Sequence, residues 1–149
     1  MITSNIADTM ASLFAMQSRL KNMTPAMELI GEMELATAQM RITTTKMDPE
    51  DVPWAPWSSR RLHEREQRGN IGLGILLDEG GLLRSLNRTA DATSMSVASE
   101  LSYAGLLQDG TSRMPRREFL GWSVKSKERA QSIAALFVEK GTLGAQLTY

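Results

Sequence analysis

The chain has no cysteine and a single histidine. The first absence removes disulfides and thiolate chemistry. With His63 alone, no ligand set for a metal such as zinc can be assembled. Positive charge does not exceed negative: 17 Lys and Arg stand against 17 Asp and Glu. A protein that coats nucleic acid is normally basic. No apolar run approaches the roughly 18 residues of a membrane span. Residues 1–20 lack the basic start and apolar core of a signal peptide, so assembly in the cytoplasm is expected. Gly72-x-Gly74 and Gly80-Gly81 are not followed by the Lys-Ser or Lys-Thr of a phosphate loop, and they read as loop glycines. Internal repeats and low-complexity segments are also missing.

What is present begins with length. The 149 residues suit one domain, which at this size buries about 70% of its unfolded surface. Aromatics are 5% of the chain, but methionine occurs 10 times. Methionine fills irregular gaps and also adapts to partner surfaces.

Residues 1–47 read as a helical N-terminal part. Ile6, Met10, Leu13, Phe14 and Leu20 recur near helical spacing, with Ser4 or Asn5 as a cap. Thr24-Pro25 restarts a helix, Thr as cap and Pro in the first turn. Ala26, Ile30, Met33, Thr37, Met40, Thr44 and Met47 then form a seam resembling a coiled coil. That seam either packs on the protein's own sheet or faces another subunit. Asp48-Pro49 ends the helix.

Residues 48–81 read as a loop and helix insertion. Trp54 and Trp57 flank Ala55-Pro56, and they either pin the loop or anchor a neighbouring subunit. Ser58 to Arg68 is a charged helix with a solvated face. Residues 82–140 read as sheet and C-terminal helix. Leu82–Ala90 and Thr93–Leu101 alternate and make a hairpin around Asp91. Tyr103–Gln108 is a helical turn stopped by Gly110. Arg117–Trp122 is a further strand candidate. Ser123 or Ser126 caps a helix with an Ala130, Ile133, Ala134, Phe137 stripe, and Gly141 stops it. Residues 141–149 are a tail. The expected fold class is α+β: N-terminal helices and a C-terminal helix packed on a small antiparallel sheet with a long hairpin.

No catalytic constellation emerges. Asp78-Glu79 and Glu50-Asp51 are adjacent in sequence, which does not make a carboxylate pair. Ser59 and His63 share a helix face at four-residue spacing, but no nucleophile elbow accompanies them. A capping serine and a surface histidine explain both. Charge is more informative. Residues 1–51 carry Arg19, Lys21, Arg41 and Lys46 against Asp8, Glu28, Glu32, Glu34, Asp48, Glu50 and Asp51. Residues 113–129 carry Arg113, Arg116, Arg117, Lys125, Lys127 and Arg129 against Glu118 and Glu128. The oppositely charged regions pair either within one subunit or head to tail between subunits, and head-to-tail contacts can close rings.

Four blocks occur in order over roughly residues 40 to 125: Asp48-Pro49 with Trp54-Ala55-Pro56, Ile75-Leu76 with Gly81-Leu82-Leu83-Arg84-Ser85, Tyr103-Ala104 with Gln108-x-Gly110, and Pro115-x-Arg117-x-Phe119-Leu120-Gly121. In this order and spacing the chain resembles the phage virion morphogenesis (tail completion) family. It departs from the family pattern at Glu50, where Gly is usual, and at Glu118, where Pro is usual. The resemblance implies a structural virion protein rather than an enzyme, without cofactor. It would form a ring, six-fold by expectation, at the head-proximal end of the tail, completing the tail and supporting head-tail joining. Implied partners are further copies of itself, the tail tube or tail terminator protein, and neck or connector proteins. Genome DNA would pass through the lumen unread. Asp48, Pro49, Trp54, Pro56, Trp57, Tyr103, Gln108, Gly110, Pro115, Arg116, Arg117, Phe119, Leu120 and Gly121 are the motif and interface residues so implied. The local positive charge leads to the expectation that Arg116 and Arg117 meet an acidic neighbour. The competing class is a nucleic-acid-binding module using residues 60–68 and 113–129, whose binding would weaken steeply with salt.

Overall fold

The computed structural model describes residues 6–143. Both the expected cap at Ser4 or Asn5 and the tail at 144–149 lie outside them. Helix α1 (Ile6–Lys21) runs through a short turn into α2 (Thr24–Met40). Pro25 occupies the first turn of α2, where no intrahelical bond is lost. Thr24 is not the cap. The cap position falls on Met23, which makes no side-chain bond, and Asn22 Oδ1 accepts from the Thr24 N–H at 3.2 Å. An Asn side chain reaches two residues ahead in this way.

The buried line of α2 is Ala26, Ile30, Glu34 and Ala38, continuing to Ile42. The expected seam agrees at its start and then diverges, since Met40 and Thr44 are exposed. Steps of four drift around a helix relative to alternating steps of three and four. The last turn also widens into a π-helical turn, Arg41–Thr45, which resets the facing of every later residue. The helix stops at Lys46, which is left-handed (φ 57°) with its N–H on the Arg41 carbonyl at 3.0 Å. Asp48-Pro49 follows that stop rather than making it.

Helix α3 (Ser59–Gln67) is capped by Ser58, whose hydroxyl oxygen accepts from the Arg61 N–H at 3.3 Å. Gly80 (φ 73°) opens a single-turn helix α4 (Gly81–Ser85), followed by strand β1 (Leu86–Ala90). The alternation over 82–90 therefore covers a helical turn and a strand. Leu82 and Leu86 suit both periods, and both are buried. Strand β2 (Met95–Ser99) pairs antiparallel with β1 from Leu86↔Ser99 to Ala90↔Met95. Arg88 lies against α2, where a Cβ on Gly31 would sit 3.7 Å from the Arg88 Cδ. Its stem is therefore packed, and its guanidinium lies 4.0 Å from Glu32.

Helix α5 (Ala104–Asp109) ends at Gly110 (φ 74°). Helix α6 (Val124–Lys140) is capped by Ser123, which accepts from the Ser126 N–H at 3.0 Å, and ends at left-handed Gly141. Among the described residues the sheet is the two-stranded hairpin alone. The predicted strand Arg117–Trp122 is irregular chain without a ladder, bent at Leu120 and Gly121.

Two apolar clusters hold these elements. Ala38, Ile42, Trp54, Leu82, Leu86, Ala104 and Phe119 form the first. Met23, Ala26, Ile30 and Ile133 form the second, with Ala130, Ala134 and Phe137 of the predicted α6 stripe packed against it. Helix α2 contributes to both, covering the hairpin with one part and meeting α6 with another. The fold is α+β. Helix α1 packs on α6 rather than on the sheet and buries none of its residues. Its Ile6, Met10, Leu13, Phe14 and Leu20 stripe is exposed.

Candidate functional site: a stitched segment and its groove

Residues 117–121 are where several of the sequence motifs meet in space. A segment outside helix and sheet must satisfy its backbone groups some other way. Here other parts of the chain do so. The Trp54 indole N–H donates to the Glu118 carbonyl at 3.1 Å. Arg41 donates to the Phe119 and Gly121 carbonyls at 3.3 and 2.8 Å. The Gln108 amide accepts from the Phe119 and Leu120 N–H groups, each at 3.1 Å, and donates to the Leu120 carbonyl at 2.6 Å. The Arg117 N–H donates to the Leu107 carbonyl at 2.9 Å. A strand was predicted because the residues are strand-like. The ladder is absent because side chains of Trp54, Arg41 and Gln108 take its place.

The Asp48-Pro49 turn and Gly110 pack beside the same segment. Asp48 Oδ1 accepts from the Glu50 and Val52 N–H groups, both at 2.9 Å, which folds a tight acidic turn. Pro49 is buried against Gly121. A Cβ on Gly121 (φ 147°) would lie 2.8 Å from Pro49 Cγ, so the approach itself demands glycine. Gly110 is held as closely, since a Cβ there would meet the Arg116 nitrogen at 2.6 Å. Phe119 is fully buried, and Leu120 is half-buried.

Three expectations about arginines change. Arg117 does not reach for a neighbour: it is buried and donates to the Ala55 carbonyl at 3.0 and 3.2 Å and to the Pro56 carbonyl at 3.3 Å. Arg116 pairs with Glu118 of its own chain. Arg65, expected on a solvated face, is 3% exposed. It lies 4.3 Å over the Trp57 ring, pairs with Asp78 at 3.2 Å, and donates to the carbonyls of Asn70, Leu73 and Leu77 at 2.8–2.9 Å. A guanidinium with five donors can gather an irregular loop in this way. Two of the cations assigned to the nucleic-acid alternative, Arg65 and Arg117, are therefore spent inside the fold. Trp54 pins the loop, and its ring is buried in the first core.

Burial pulls the Arg41 guanidinium below its ordinary value, opposed chiefly by the negative charge of Glu34. Burial acts the same way on Arg117 and on Lys46, whose ammonium donates to the Ile42 and Ile75 carbonyls. The sequence marks neither Arg41 nor Lys46 as a site residue, and Arg65 only as one cation of the 60–68 segment. Only Arg41 carried a signal, since it directly precedes the buried Ile42 at the end of the apolar line. Nothing in the sequence separates Arg65 from Arg60, Arg61 and Arg68.

Trp57, Arg65, Leu77, Tyr103, Met114 and Arg117 line a groove of about 640 Å³, and Pro115 stands at its edge. Its walls come from α3, the 75–79 loop, α5 and the 113–117 segment. Its lining sets apolar side chains beside arginines. No group of three or more His, Cys, Asp or Glu able to hold a metal occurs among the described residues. His63 Nε2 is engaged by Gln67 at 3.0 Å. No helix among the described residues is long and apolar enough to cross a membrane.

No curated protein and no solved structure gave a match to the chain. The sequence profile of the phage virion morphogenesis family matches residues 3–139. That span contains every motif residue and all the elements stitched around the 117–121 segment but the last residue of α6, and the chain belongs to the phage virion morphogenesis family.

Proposed function

We propose that the protein is a structural component of a tailed-phage particle. It assembles as a ring, six-fold by preference, at the head-proximal end of the tail, where it completes the tail and supports head-tail joining. It catalyses no reaction and needs no cofactor. Its neighbours are copies of itself, the tail tube or terminator protein, and neck or connector proteins, and the genome passes through the lumen unread. One observation carries this reading: membership of the phage virion morphogenesis family over nearly the whole chain. Two features support it. Asp48, Trp54, Gln108 and Arg117 bond internally to backbone, as expected of residues that hold a shape. The α1 stripe is left exposed, with Ile6 74% and Phe14 62% accessible, and exposed apolar stripes mark association surfaces.

The test is native mass by light scattering over a range of concentrations, free and after addition of purified tails. A discrete ring-sized species, or stoichiometric addition to the tail end, is expected. A chain that stays monomeric in both settings would end the proposal.

A further inference from the structure

We infer that the acidic turn Glu50-Asp51-Val52 of one copy docks in the groove of the next, closing the ring head to tail. The inference rests on the ring reading above and names its contact. The turn is a built feature. Asp48 bonds two of its N–H groups, Pro49 is buried beneath it, and Asp51 is fixed in the left-handed region (φ 62°). Such a conformation is uncommon outside glycine, and here it presents Glu50, Asp51 and Val52 together to solvent. Neither the Glu50 nor the Asp51 side chain makes a hydrogen bond or ion pair among the described residues. Val52 is 53% exposed between them and proline.

The groove is the complement. Five arginines and two acids line it. Arg65 and Arg117 are committed to backbone carbonyls and Arg61 to Glu64 and Asp78. That leaves Arg84 and Arg113 against the exposed Glu79. Arg84 and Arg113 are exposed at its rim, and their guanidinia have no bonded partner among the described residues. Asp78, one of the two acids, is already tied to Arg61 and Arg65. The floor offers Leu77 and Met114 to Val52, and the volume lies in the roughly 300–1,000 Å³ range of sites that enclose a compact group. No residue of the turn lines the groove, and the turn is fixed where it stands, so the contact joins separate copies. Two unlike surfaces on one molecule make a heterologous contact, which closes into a ring when the rotation allows. Opposite charge then sets register and encounter rate.

The test reverses each side separately. One variant carries Glu50→Lys with Asp51→Asn, since Asn tolerates the left-handed position. The other carries Arg84→Glu with Arg113→Glu. All four residues are exposed, and circular dichroism checks that both variants fold. Native mass is read for each alone and for an equimolar mixture, free and on purified tails. Each variant alone should self-associate about tenfold more weakly or worse. The mixture should recover assembly, because each reversed surface then finds its complement. Wild-type rings with variants that assemble alone, or with a mixture that stays dissociated, would overturn the contact and leave the ring intact. A wild type that never assembles, free or on tails, removes both.

Discussion

Gln108 and Leu120 bond as paired strand residues do, although neither is in a strand. The Gln108 amide nitrogen donates to the Leu120 carbonyl at 2.6 Å, and its oxygen accepts from the Leu120 N–H at 3.1 Å. A second N–H, from Phe119, shares that oxygen at 3.1 Å. One side chain thus does the work of a neighbouring strand. Gln108→Leu keeps the bulk and strands three backbone groups. At about 1–3 kcal/mol for each buried group left unpaired, the loss should be several kcal/mol, read by urea denaturation. A loss under about 0.5 kcal/mol would mean that water replaces the amide.

Trp54 is a fold residue by the same logic. Its ring is buried and its N–H holds the Glu118 carbonyl at 3.1 Å. Trp54→Ala and Phe119→Ala should each cost about 3–5 kcal/mol, enough to unfold much of a marginal protein. Thermal melting of the purified variants checks it. A Trp54→Ala protein that melts like wild type but fails to assemble would show that the indole serves an interface instead.

Two arginines on α3 should behave oppositely. Buried Arg65 gathers three carbonyls and pairs with the exposed Asp78. Arg60 makes one ion pair with its side chain 89% exposed. Arg65→Met strands three carbonyls, at about 1–3 kcal/mol for each one left buried and unpaired, and should loosen the 70–78 loop, read by limited proteolysis. Arg60→Met should change stability by no more than about 0.5 kcal/mol.

Asp91 gives a pH signature. Four bonds from the backbone and side chains of Thr93 and Ser94 hold its carboxyl down to about 2, from an ordinary 3.8. Because the folded value is depressed, its contribution is complete above the ordinary value and is lost as pH falls through about 2. Hairpin amide protection, taken relative to the intrinsic exchange rate, should therefore fall between about pH 4 and pH 2 in the wild type. In Asp91→Asn that acid dependence should disappear, while an unchanged profile would assign it to another carboxylate.

Leu13 and Phe14 are 55% and 62% exposed on α1. Leu13→Asp and Phe14→Asp should leave monomer stability within about 0.5 kcal/mol, read by thermal melting at low concentration. A larger loss would place that face against the fold.

Local chemistry made much of this fold legible. Ser58 and Ser123 cap helices because a hydroxyl beside a first turn meets its free N–H groups. Gly110 and Gly141 stop helices because left-handed or otherwise strained backbone favours the residue without a Cβ. Met95, Val97 and Ser99 share a half-buried face because strands alternate. These signals lie within a few residues of their cause. Misreadings arose where the cause was distant or ambiguous. Leu82 and Leu86 fit two periods at once, and the π-helical turn at Arg41–Thr45 moved the seam off Met40 and Thr44.

The sequence by itself determined most of the helices, the caps at Ser58 and Ser123, the stops at Gly110 and Gly141, the hairpin, and the ordered motifs that mark the family. Tertiary structure alone decided what the motif residues do. Arg117 looks like a surface cation until Ala55 and Pro56, some sixty positions away in the chain, turn their carbonyls toward it. Arg117–Trp122 looks like a strand until Trp54, Arg41 and Gln108 occupy its bonding groups. The reason is physical: propensity is a property of neighbours along the chain, whereas the satisfaction of a buried polar group depends on which distant atoms the fold brings within about 3 Å.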